Sequence, residues 1–121
     1  MRYDAEHKQK TRERVLREAA KAIRADIKVA RAAKTLPPHP EGIVIRVTSR
    51  RASLMTAIDI DVSGAPHSWA YSGGNGAVSR PSPANLTLRE ALRRIAGRHY
   101  QAGGPGDQGS FINVAIHLEE S

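Results

Sequence analysis

Seven cations, Lys10, Arg14, Arg17, Lys21, Arg24, Lys28 and Arg31, follow one another at alternating spacings of four and three residues. On a helix of 3.6 residues per turn that rhythm sets them in one nearly straight stripe. A line of lysines and arginines can hold the phosphates of a nucleic acid, or an acidic protein surface, through charge-assisted hydrogen bonds. Contacts made only to phosphates would be independent of base sequence and steeply sensitive to salt. The competing reading is a solvated face whose long side chains also cover apolar surface, with Glu13 and Arg17 as an i,i+4 pair that partly neutralises it.

Other residues offer weaker chemistry. Arg46, Arg50 and Arg51 fall at the end of a strand and in the turn after it, where a reaching loop could clamp a phosphate or enter a groove. An ordinary polar turn accounts for them as well. Trp69 and Tyr71 precede a GGNG tract; exposed aromatics beside cations can stack bases, whereas buried ones fill a core. That tract lacks the Lys-Ser/Thr of a phosphate-cradling loop. Asp59 and Asp61, two apart on one strand face, could hold a divalent cation as nuclease carboxylates do, or could be the polar half of an alternating strand. His7, His39, His67, His99 and His117 are scattered, with no i,i+4 partner to suggest a metal site. The absence of cysteine excludes disulfides and thiolate metal or redox chemistry. No nucleophile stands beside an evident base. No catalytic residue, metal or cofactor is therefore expected, and the sequence reads as that of a binding protein more readily than an enzyme.

The charge balance agrees. Nineteen Lys+Arg stand against twelve Asp+Glu, a net charge of +7 over 121 residues. The excess is local: residues 1–34 hold eleven Lys+Arg and five Asp+Glu, and residues 35–121 hold eight and seven. A chain of this length supports one modest core without crosslinks. No apolar run approaches the roughly 20 residues of a membrane helix, and the charged opening MRYDAEHKQK lacks signal-peptide character. These features lead to the expectation of a cytoplasmic protein with no membrane partner.

The elements that must position these residues follow from periodicity. Residues 5–34 are rich in Ala, Arg, Lys, Glu and Leu, with no Gly or Pro before Pro37, and predict a helix with Asp4 as its N-cap. Leu16, Ala20, Ile23, Ile27 and Ala30 repeat the cation spacing about 100° round the cylinder, so one face docks while its neighbour stays wet and positive. Residues 1–12 offer few apolar anchors and are expected to fray or project from a single domain spanning residues 1–121. Beyond LPPHPEG the period becomes two. Strands are predicted at residues 42–49 and 55–62, joined by a turn of residues 50–54, and at residues 110–118. A loop tract spans residues 63–85, with a short irregular strand at residues 69–71. Thr87 and Glu90 form a T-x-x-E capping box for a second helix, which carries Leu88, Leu92, Ile95 and His99 as its apolar stripe and ends near Tyr100. The expected order is helix, strand, strand, loop, helix, strand: an α+β fold with two helices on one face of a small, mainly antiparallel sheet.

Two resemblances rest on particular runs. Residues 2–26, RYDAEHKQKTRERVLREAAKAIRAD, resemble the first helix of TetR-family repressors, with their RY-x-x-E-x-K-x-x-TR-x-R-[IVL]-L pattern. No helix-turn-helix follows, since Pro37 leads into strands, so this likeness implies no operator-reading recognition helix. Residues 23–62 resemble the large polyvalent protein associated domains of phages and conjugative elements. Those domains show a helix with an I-R-x-x-[IL]-K core, a strand of the type K-[FV]-S-V-R-[ST], a Ser/Gly-rich turn and a strand like S-I-D-V; Ile23, Arg24, Ile27, Lys28, Val47, Ile58, Asp59 and Val62 match in kind, although Ser53, Leu54 and Met55 replace the glycines of the turn. The resemblance implies a mobile-element setting and an α+β fold, with no reaction attached.

The leading expectation is a small basic nucleic-acid-associated protein of phage or mobile-element origin. Its first helix would grip the phosphates of DNA or RNA, with Arg46, Arg50 and Arg51 as a second contact. The runner-up is an inhibitor or adaptor of the anti-defence type whose basic helix occupies an acidic or nucleic-acid-binding surface of a host protein. A metal-dependent nuclease centred on Asp59 and Asp61 is third. A homodimer would bring two cationic stripes into one assembly.

Overall fold

The computed structural model describes residues 2–52, 55–72, 80–100 and 110–119, with the side chains of residues 14–51, 55–72, 80–100 and 111–119. Helix α1, Arg2–Ala32, is followed by strands β1, Val44–Ala52, and β2, Met55–Ala65. A short turn of helix, α2 (His67–Ala70), leads to the two-residue strands β3 (Tyr71–Ser72) and β4 (Arg80–Pro81). Helix α3, Pro83–Gly97, and strand β5, Ser110–Leu118, follow. The α+β order is the expected one, with α2, β3 and β4 as additions inside the loop tract. Trp69 lies on α2 rather than on a strand, half-buried against the core.

The main sheet has the order β1-β2-β5 and is mixed. β1 and β2 form an antiparallel hairpin from Val44↔Ser63 to Ala52↔Met55, and β5 joins the far side of β2 in parallel, with Ile58↔Ile112 and Ile60↔Val114. A parallel neighbour requires a long crossover, which the tract containing α3 supplies. The register of β2 and β5 shifts between Val62 and Ala65, where Gly64 adopts φ +79°. That left-handed backbone suits glycine and bends the strand end as a bulge does.

Alternation divides the sheet into two faces. Val47, Ile58, Ile60, Val62 and Val114 point to the helical side, where Leu16, Ala20, Ile23 and Ile27 of α1 and Leu88, Leu92, Ile95 and Ala96 of α3 complete the core. α1 packs over β1, α3 over β5, and the two helices touch. The opposite face turns Arg46, Thr48, Arg50, Asp59, Asp61, Asn113 and His117 toward solvent.

Several boundaries differ from the sequence expectation. Asp4 lies inside α1 rather than capping it. The hairpin strands run on through Arg50 and Arg51, because those residues pair with Ala57 and Thr56, so only residues 53–54 separate β1 from β2. The cap of α3 is Ser82, not Thr87. Ser82 Oγ accepts from Asn85 N–H at 3.0 Å with Pro83 at the first helical position, where its missing N–H has no consequence. Thr87 sits one turn inside and donates its hydroxyl to Pro83 O at 2.7 Å. α3 ends at Gly97, which leaves His99 outside the apolar stripe, where its Nε2 meets Asp26 Oδ2 of α1 at 2.6 Å. At the other terminus of α1, Lys34 takes φ 58°, with Thr35 N–H donating to Ala30 O and Lys34 N–H to Arg31 O. Those two bonds close the helix in the Schellman manner and turn the chain toward β1.

Candidate functional site

The docked face of α1 fixes the direction of its cations. With Leu16, Ala20, Ile23 and Ile27 buried, the residues one position further on lie at the margin of the helix-sheet contact, beside β1. β1 is an edge strand, so every second residue along it turns its peptide groups away from β2. Two of the stripe's arginines go to this edge, one to β1 and one to the residue just before it. Arg24 donates Nε–H to Val47 O at 3.0 Å, and Arg31 donates from Nη2 to Ile43 O, also at 3.0 Å. The carbonyls are four residues apart, about 13 Å along a strand, and the arginines seven apart, about 10.5 Å along a helix, so the two elements are nearly in step.

This arrangement sorts the seven cations. Arg14, Arg17, Lys21 and Lys28 are exposed and have no hydrogen-bond or ion-pair partner among the described residues. Arg24 and Arg31 face the sheet edge, each with one donor engaged and the rest of the guanidinium available. The side chain of Lys10 lies outside the described residues. Between the two arginines a cleft of about 270 Å³ opens, floored by Ile27, Ile45 and Val47 and rimmed by Arg24, Lys28 and Arg31. Its floor is apolar and its rim cationic. A phosphate or carboxylate carried on a short apolar group fits that chemistry.

The strand arginines do not form a single cluster with the ridge. Arg46 and Arg50 belong to the opposite sheet face by alternation, and Arg50 is tied to Asp59, with Nε to Oδ2 at 3.1 Å. Arg51 is exposed and pairs across the hairpin with Thr56. α3 adds exposed cations to the helical layer in Arg93 and Arg94, with Arg98 as its C-cap; Arg94 already holds Glu90 of the preceding turn at 2.5 Å.

The acidic pair is likewise engaged. Asp59 accepts from Arg50 and from Asn113 Nδ2 at 3.1 Å, while Asp61 faces His117 Nε2 at 3.0 Å. Among the described residues no group of three His, Cys, Asp or Glu could hold a metal ion. His67 stacks on Tyr71 with ring centroids 5.4 Å apart. The GGNG tract lies outside the described residues. The contacts of His99 and His117 were not readable from sequence, because their partners stand 73 and 56 residues away.

No described helix is long and apolar enough to cross a membrane. Comparison with protein-family models, with curated proteins and with solved structures found no match.

Proposed function

We propose that this protein is a small nucleic-acid-associated binding protein that holds phosphates along the exposed ridge of α1. The observation that carries the reading is the set Arg14, Arg17, Lys21 and Lys28: four exposed cations, partnerless among the described residues, on a helix whose adjacent face is anchored in the core. A ridge fixed to a folded body loses less conformational freedom on binding than a basic tail would. Arg24 and Arg31 contribute differently. Bound to β1, their guanidinium planes are already oriented, and their remaining N–H groups can meet a phosphate bidentately. A phage or other mobile-element setting, which the resemblance of residues 23–62 implies, belongs to the same proposal, as does a cytoplasmic location.

One feature favours the second reading, an inhibitor or adaptor bound to an acidic protein. The cleft floor of Ile27, Ile45 and Val47 offers an aliphatic side chain a seat beside its carboxylate. Fluorescence anisotropy with labelled duplex DNA, single-stranded DNA, RNA and polyglutamate at two salt concentrations separates the readings. Binding to at least one nucleic acid that weakens about a thousandfold between 50 and 200 mM salt would require roughly six phosphate contacts, and a ridge of four predicts a shallower but still steep loss. Preference for polyglutamate over every nucleic acid would favour the protein partner.

A further inference from the structure

The two edges of the main sheet are treated unequally. A free edge presents unpaired N–H and C=O groups to any other strand, and proteins blunt such edges with charge, proline, bulges or a covering element. β1 is blunted: it carries Arg46, Arg50 and Arg51, and Arg24 and Arg31 occupy the carbonyls of Val47 and Ile43. β5 is not. Its nine residues, SFINVAIHL, contain no Lys, Arg, Asp, Glu, Pro or Gly. No described strand pairs with its outer side. Along it Phe111 and Leu118 are 43% and 39% exposed, and Ile112 and Ile116 pack on the core while only partly covered.

We infer that β5 is the interface of a homodimer, in which the outer edges of two copies pair antiparallel about a two-fold axis to make one six-stranded sheet. The occupant follows from charge and register. Two molecules of net charge +7 repel, and β5 is the long strand where they can approach without bringing formal charges into the contact. An antiparallel copy centred on Val114 pairs the whole strand, from Ser110 to Leu118. On the helical side it sets Ile112 against the partner's Ile116, and Val114 against the partner's Val114. On the other face it sets Phe111 against the partner's His117, and Asn113 against the partner's Ala115. Apolar thus meets apolar on the core face, as cross-strand pairs require. The isologous contact closes on itself, so it stops at two chains. Both helical layers then lie on the same side, with the two α1 ridges on the outer flanks and the β1 strands five spacings, about 24 Å, apart. The inference stands independently of the nucleic-acid reading.

Sedimentation equilibrium at about 100 µM, two decades above a micromolar Kd, should give twice the 13.1 kDa of one chain. The double variant Asn113→Lys with Ala115→Lys sets lysine against lysine twice across the proposed axis and should sediment as a monomer. Asn113→Asp with Ala115→Asp should do the same, and an equimolar mixture of the two should recover the doubled mass as a heterodimer. That recovery requires both variants to be folded. Amide exchange gives the same test without substitution: alternate amides of β5 in the wild-type chain should slow as concentration rises. A wild-type monomer at 100 µM, a dimer that survives the lysine pair, or β5 amides equally protected at every concentration would each overturn the proposal.

Discussion

β1 and β5 flank the same central strand, yet among the described residues one edge is met by arginines and the other by none. At β1, Arg24 and Arg31 reach down from α1 to the carbonyls of Val47 and Ile43. At β5 no described residue makes such a contact, and the strand has no formal charge. Cations that a sequence reading assigns wholly to an external ligand are thus divided. Two are partly committed to the protein's own edge, and four stand free of described partners for a polyanion. Edge protection and the proposed polyanion binding draw on one stripe, because a helix laid over an edge strand presents one flank to that edge and the next to solvent.

The comparison can be broken in graded ways. The largest stability effect is expected at the strand both edges share: Ile60→Ala, at a fully buried position of β2, should cost about 2–5 kcal/mol in chemical denaturation through lost burial and a cavity. Next, Arg24→Gln with Arg31→Gln removes the guard at β1 and should cost about 1 kcal/mol per hydrogen bond. Its sharper consequence is assembly. With β1 and β5 both open, association no longer closes, and light scattering should detect species larger than a dimer growing with concentration. Ser82→Ala, which removes the cap of the helix lying over β5, should lower stability by about 1 kcal/mol while leaving the edge chemistry unchanged. The smallest effect is expected from Arg50→Gln on the solvent face, where loss of the exposed pair with Asp59 should change stability by less than about 1 kcal/mol.

Local patterns carried much of the fold into the sequence. The Leu16, Ala20, Ile23 and Ile27 rhythm gave the docked face of α1, and period-two alternation gave the three main strands, with residues 110–118 matching β5 at both ends. What escaped depends on meetings between distant segments. Nothing in residues 110–118 says that β5 runs parallel to β2 rather than antiparallel to it, since alternation is the same in both. Thr87 and Glu90 imitate a capping box, but Pro83 one turn earlier favours a start at Ser82, and the helix takes the earlier cap. Arg24 and Arg31 could be placed on the stripe by counting, whereas their bonds to β1 depend on how far along the strand the helix docks. The same is true of Asp26 with His99, where α1 meets the end of α3.

The central claim is that the free cations of α1 neutralise phosphates, and the salt dependence of binding tests it most directly. The four free cations alone should give a plot of log K against log salt with a slope of roughly −3 to −4, steeper where Arg24 and Arg31 also meet phosphates. A variant with Gln at positions 14, 17, 21 and 28 should flatten that slope by about one unit for each contact removed. Equal slopes for the two proteins, or no measurable binding of DNA or RNA by the wild type at low salt, would contradict the account.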